Sequence, residues 1–244
     1  MRSALPPGFI APCLPIASER CKSGPAWVHE IKHDGYRLIA RRTDDRVRLY
    51  TRRGFNWADR YPRIIDALRS IRARSVTIDG EAVVCGTDGR SDFDKLHSGA
   101  HDAHVFLYAF DLIEFDGEDL RPAALELRKS KLEKLLAHSD GIRFSEHLDG
   151  EGAIIFAHAC KLGLEGIVSK RRVALSLRPV PGLGQGEEPR EPGGAAHPKR
   201  DVVRMSAIGE DIPSWGSHFA RSRPHVSSAL NFRPSAIAPF VRSP

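Results

Sequence analysis

Residues 30–37, Glu30-Ile31-Lys32-His33-Asp34-Gly35-Tyr36-Arg37, decide how the chain is read. Preceded by Trp27-Val28-His29, the segment has the apolar and β-branched character of a strand running into a turn at Asp34-Gly35. Side chains alternate faces along a strand, which places Glu30, Lys32 and Asp34 on one side. An acid, an amine and an acid on one face suit water or chemistry better than an apolar core. Taken alone, the pattern reads equally well as a solvated strand face.

On the C-terminal side, Tyr36 to Ala40 and Val47 to Tyr50 continue as strands separated by Thr43-Asp44-Asp45. Ile64, Ile65, Leu68 and Ile71 share one helical face, which predicts a helix over 58–72. Val76 to Val84 reads as a strand interrupted by Asp79-Gly80-Glu81, and Val105 to Ile113 as a strongly apolar strand. Amphipathic helices are predicted over Leu125 to Leu136 and over 150–162, and a last strand over Glu165 to Lys170. Short strands and helices with no regular βαβ rhythm predict an α+β fold.

Composition narrows the class only slightly. The net charge of +6 over 244 residues suggests a polyanionic partner, but half of it lies in the last 72 residues, with 9 Lys+Arg against 6 Asp+Glu. The four cysteines, Cys13, Cys21, Cys85 and Cys160, form no C-x-x-C pair and fit no zinc template. His29 and His33 have helical ligand spacing but lie in a strand-like segment, so they are not read as a metal pair. The prolines at 6, 7, 12 and 15 break up the N-terminus, which does not resemble a secretory signal. No run approaches the length of a membrane span. The expectation is a cytoplasmic protein without membrane contact.

Four further segments give the Lys32 region its meaning: Thr51-Arg52-Arg53-Gly54, Asp79-Gly80-Glu81, Phe110-Asp111-Leu112 and Glu165-Gly166-Ile167-Val168-Ser169-Lys170. In this order and spacing, EIKHDGYR, TRRG, DGE, FDL and EGIVSK resemble the motifs of the covalent nucleotidyltransferases. Within that superfamily they are similar to ATP-dependent DNA ligases, above all bacterial end-joining ligases and their stand-alone relatives. The connecting segments FDGEDLR and LELRKSKLEKLL fit the same family, and the likeness covers roughly residues 6–172.

The resemblance implies a nucleotidyltransferase (ATP-grasp-like) adenylation domain over residues 1–172, built of packed, mostly antiparallel sheets with flanking helices. It implies Lys32 as the nucleophile that attacks the α-phosphorus of ATP, the logic of covalent catalysis. Asp34 would orient it and help hold Mg²⁺ or Mn²⁺, with Glu165 as a metal ligand and Glu81 on the ribose or in the metal shell. Glu30 would accept a hydrogen bond from the adenine amino group, Ile31 would line the nucleotide site and Phe110 would stack on the base. Arg37 and Arg52 would hold sugar or phosphate, for which the planar guanidinium is suited, and Lys170 would stand near phosphate. The implied partners are nicked double-stranded DNA and end-joining or repair proteins, with the chain a monomer. Two other readings remain open at this point. One is an RNA ligase or capping-type nucleotidyltransferase; the other is a decayed remnant that only binds nucleotide or DNA.

Beyond Arg172 the chain departs from the family. A tryptophan with two alternating lysines should follow, then an OB-fold domain; Trp215 has no such context, and 173–244 lacks alternating strands. Ten of the 17 prolines lie in this stretch, and 182–198 is almost free of apolar residues, so an irregular tail is predicted. Codons for Val173 to Ala196 can be chosen whose next frame contains W-V-K-V-K behind a family-like linker. A reading-frame shift near Arg172–Val173 would therefore account for the tail. Losing preorganised phosphate-binding charges commonly costs on the order of 10²–10³ in rate, so full ligation by this chain is expected to be impaired.

Overall fold

The computed structural model describes Pro6, residues 8–172 and the backbone of residues 202–206. Its strands are β1 (Ile16–Ala17), β2 (Trp27–Ile31), β3 (Tyr36–Thr43), β4 (Arg46–Thr51), β5 (Ser75–Val83), β6 (Phe106–Phe115), β7 (Glu118–Asp119), β8 (Ile142–Phe144), β9 (Gly166–Arg171) and β10 (Val202–Ser206). Its helices are α1 (Pro62–Ser70), α2 (Phe93–Ser98), α3 (Leu125–Leu136) and α4 (Gly152–Lys161). No helix among the described residues is long and apolar enough to cross a membrane.

The larger sheet has the order β4-β3-β5-β6-β7, with β8 running parallel to β6 on a side branch. The smaller sheet has the order β1-β10-β9-β2. Apart from β6–β8 and β1–β10, the pairs are antiparallel. The α+β expectation with mostly antiparallel sheets is met.

The main core lies against the larger sheet. Leu38 and Ala40 of β3, Ile78 of β5 and Leu107 and Leu112 of β6 pack with Ile64 and Leu68 of α1 and Leu132 of α3. Helix α1 starts at Pro62, whose fixed φ suits a first helical turn and whose missing N–H costs nothing there. A second, smaller cluster of Ile155 and Ala159 from α4 with Ile167 from β9 backs the smaller sheet.

Three of the differences from the sequence reading bear on the site or the tail. Strand β5 is not interrupted: it runs from Ser75 through Val83, and the DGE segment marks only a register shift against β6 between Asp79 and Gly80. Gly80 is required at that step, because a Cβ there would come within 2.6 Å of the Tyr108 carbonyl oxygen. Strand β2 ends at Ile31, so Lys32 and Asp34 lie in a loop where strand alternation no longer sets their direction. Val202-Val203, read as part of an irregular tail, belongs to β10, which pairs with β9 from Val202 opposite Lys170 to Ser206 opposite Gly166. Backbone pairing explains this, since an edge strand's amides and carbonyls seek partners whatever side chains accompany them. The rest of the expectation for 173–244 falls outside the described residues.

Candidate active site

The two sheets and α3 enclose a cleft of about 960 Å³. Glu30 and Ile31 from β2, Lys32 from the following loop and Arg37 from β3 line it, as do Arg52 from the turn after β4, Glu81 from β5, Phe110 from β6 and Lys170 from β9. Eight of the residues singled out in the sequence, spread over 140 positions, therefore meet at one surface. Asp34 and Glu165 do not reach it. They line a separate recess of about 140 Å³ with Arg90, Ser91, Gly163 and Leu164. Lys32 and His33 line both cavities.

The Lys32 backbone N–H donates to the Gly166 carbonyl at 2.9 Å, which ties the loop to the start of β9. This brings the Lys32 amine into an ion pair with Glu165, the neighbour of that glycine. The next turn is equally constrained: a Cβ on Gly35 would come within 2.2 Å of the Ala82 carbonyl oxygen, so only glycine lets the loop lie against β5. His33 stacks on Tyr108 with ring centroids 3.8 Å apart, and burial pushes its imidazole down to about 4, so it stays neutral beside the amine.

Beneath the cleft lies a buried triad. Glu30 is 2% exposed. It accepts from Lys129 Nζ at 2.7 Å on one oxygen and from Lys170 Nζ at 2.6 Å on the other. Burial alone would raise the Glu30 carboxyl, but the two ammonium groups outweigh it and hold the carboxyl below the usual range. Lys170 also lies 4.3 Å from the centroid of the Phe110 ring, and the Arg37 guanidinium stands at the same distance. The Phe110 ring expected to stack on a base thus already carries cationic neighbours.

Arg37 is not a free cation at the cleft wall. Its guanidinium donates twice to Asp79, Nε at 2.5 Å and Nη2 at 2.8 Å, and Nη2 also reaches the Cys13 carbonyl at 3.2 Å. Arg128 of α3 makes a similar fork to Asp111, with Nε and Nη2 at 2.7 and 3.0 Å from the two carboxylate oxygens. Arg52, by contrast, is exposed at the cleft's rim.

Sequence reasoning missed Lys129, Asp79 and Arg128. Lys129 and Arg128 sit on a helix whose pattern reads as amphipathic, where basic residues are taken for the wet face. Asp79 belongs to a motif in which Glu81 drew the attention. The one available signal was a strand, β5, carrying two acids where one would already need a partner.

Among the described residues, no three His, Cys, Asp or Glu side chains converge closely enough to hold a metal ion by themselves. The carboxylates present do suit a divalent cation that draws the rest of its ligands from phosphate and water. Glu165 Oε2 is buried without a hydrogen-bond partner among the described residues, and burial pushes the Glu81 carboxyl up to about 7. Both are acceptors that a cation would satisfy.

The family of ATP dependent DNA ligase domains matches residues 10–176. The chain is 41% identical over 170 residues to the multifunctional non-homologous end joining protein LigD of Pseudomonas aeruginosa, covering 68% of this chain and 20% of that protein. It is 30% identical over 167 residues to the SPbeta prophage-derived DNA ligase-like protein LigB of Bacillus subtilis, covering 67% of this chain and 61% of that one. Among solved structures, mycobacterial DNA ligase D complexed with ATP and MES superposes with a TM-score of 0.59 at 27% identity, over 79% of this chain and 60% of that chain. The ligase domain of Mycobacterium tuberculosis LigD gives 0.57 at 29% identity, over 79% and 58%. The chain thus spans about a fifth of the Pseudomonas LigD it matches. With more than half of its length matched and eight of its motif residues gathered at one cleft, the chain belongs to the ATP-dependent DNA ligase domain family.

Proposed function

We propose that the chain takes AMP from ATP onto Lys32 Nζ, as the first step of sealing 5′-phosphate/3′-hydroxyl nicks in double-stranded DNA. The observation that carries this is the position of Lys32, at the junction of a large cleft and a small carboxylate-lined recess, on a loop pinned to β9. Nζ would attack the α-phosphorus and pyrophosphate would leave. The attacking amine must shed a proton, and Glu165, in contact with it, is placed to receive that proton.

The cleft supplies the means to hold a nucleotide. Ile31 and Phe110 offer apolar and aromatic surface for a base. Glu30, ionised between two lysines, offers an acceptor for the 6-amino group of adenine. Arg52 at the rim and Lys170 at the floor are cations for sugar or phosphate. Glu165, Asp34 and Glu81 would hold Mg²⁺ or Mn²⁺ together with phosphate oxygens. When bound, that ion neutralises charge developing on the phosphates.

Nicked DNA as the acceptor, and a role in end joining or repair, are proposed from the relatives' named activities. The missing W-x-K-x-K segment leads us to propose that complete ligation by this chain is weak. The domain division is likewise proposed: an adenylation body over 1–172 to which β10 adds a strand, with the rest of 173–244 as an aberrant continuation. The test is transfer of label. Radioactivity from α-labelled ATP should first stay on the protein and then move to the 5′-phosphate of a nicked duplex. Label taken equally well from GTP would favour the capping-type alternative instead.

A further inference from the structure

We propose that Lys129 is a positioning residue for base selection: it holds Glu30 as an ionised, acceptor-only carboxylate while Lys170 turns to the nucleotide. The inference rests on the adenylation reading above, and within it assigns the adenine preference to a lysine that does not line the cleft.

The triad has two ammonium groups for one carboxylate, and the two lysines differ in kind. Lys129 is 2% exposed. Its Nζ donates to Glu30 Oε1 at 2.7 Å and to the Ser145 carbonyl at 2.8 Å, and faces the Phe144 ring at 4.6 Å. An ammonium has three donors, and here three acceptor directions meet them. Lys129 is therefore fixed. Lys170 lines the cleft and makes one hydrogen bond among the described residues, to Glu30 Oε2 at 2.6 Å, with the Phe110 ring beside it. It can turn to an incoming nucleotide.

Charge explains why two lysines are needed. If Lys170 were the sole partner, its departure would leave a bare carboxylate in a desolvated site. Such a group takes up a proton. A protonated acid is donor and acceptor at once, so it would serve the 6-oxo group of guanine as readily as the 6-amino group of adenine. Lys129 removes that ambiguity. With it in place, Glu30 keeps a counter-ion when Lys170 leaves, and Oε2 is exposed as an acceptor only.

The test is binding of fluorescent ATP and GTP analogues to the full chain, for wild type, Lys129→Met, Lys129→Arg and Lys170→Met, with thermal midpoints recorded for each. Wild type should prefer ATP. Lys129→Met should lose that preference by about tenfold or more, as expected for one charged hydrogen bond. Lys129→Arg should keep most of it. Lys170→Met should bind both nucleotides more weakly yet retain the ATP-over-GTP ratio. The inference is overturned if Lys129→Met loses only thermal stability and keeps the ratio, or if Lys170→Met loses the ratio as well. Should Lys129→Met not fold, the Arg and Lys170→Met arms decide. A wild type that binds ATP and GTP alike overturns this inference alone. A wild type that binds neither overturns the adenylation reading and the inference with it.

Discussion

Replacing Asp79 with alanine should destabilise the fold by about 3 kcal/mol, because the Arg37 guanidinium is left without its counter-ion. The pair is a two-bond fork, at 2.5 and 2.8 Å, and the Asp79 side chain is only 4% exposed. Removing one partner of a buried pair commonly costs about 3–5 kcal/mol. The low end applies because a fifth of the Arg37 side chain reaches solvent and the Cys13 carbonyl still accepts one hydrogen bond. For a body of this size, about 3 kcal/mol corresponds to a fall in Tm of about 6–12 °C. Urea unfolding followed by circular dichroism gives the free energy directly, with the slope checked for constancy. Two further variants locate the cause. Asp79→Asn keeps an acceptor and should lose less. The double variant Arg37→Met/Asp79→Leu should recover most of the stability, since replacing both charges with apolar groups is often neutral. A single Asp79→Ala variant within about 0.5 kcal/mol of wild type would refute the reasoning, placing it among ordinary surface changes. A double variant as unstable as the single one would show that packing, not an unpaired charge, carries the effect.

Tyr61→Phe should be neutral or stabilising, because the buried Tyr61 hydroxyl has no hydrogen-bond partner among the described residues and its removal relieves a desolvated polar group; a Tm drop of several degrees would contradict this. Gly35→Ala should destabilise by about 1–3 kcal/mol and displace Lys32, since the new Cβ would meet the Ala82 carbonyl at 2.2 Å; unchanged melting and unchanged AMP uptake would speak against it. Burial raises Glu81 from 4.5 to about 7, so the folded chain binds that proton more tightly than the unfolded one. That contribution is complete below about pH 4.5 and is lost as pH rises through 7. Urea midpoints at pH 5 and pH 8 should fall less for Glu81→Gln than for wild type, and an equal fall in both would count against the burial effect.

Much of the architecture could be read from residues alone because it rests on short-range patterns. The strand starting at Trp27 and the helix at 125–136 follow from local apolar spacing, and the structure has both, the strand stopping at Ile31, short of Lys32. Eight of the ten residues that the ordered motifs singled out line the large cleft, whereas Asp34 and Glu165 line the small recess. What the sequence hid were relations between distant residues. Glu30 and Lys129 are 99 positions apart, and a lysine on an amphipathic helix carries no mark of burial. Asp79 and Arg37 are 42 apart, joined only by the β3–β5 register. The loop after Ile31 ends strand alternation one residue before Lys32, which sends Asp34 to the small recess and not to the large cleft. Helix α2 was missed because its six residues are too few for a periodic signal; Asp92 caps it, accepting from the Lys95 N–H at 3.0 Å.

The most direct measurement is the intact mass of the purified chain after pyrophosphate pretreatment and incubation with ATP and Mg²⁺ or Mn²⁺, beside a Lys32→Ala control of matched folding. A gain of one AMP in the wild type, absent from the control, is the result expected if Lys32 is the nucleophile. An adduct that persists in Lys32→Ala, or a folded wild type that never takes up AMP, would contradict that assignment.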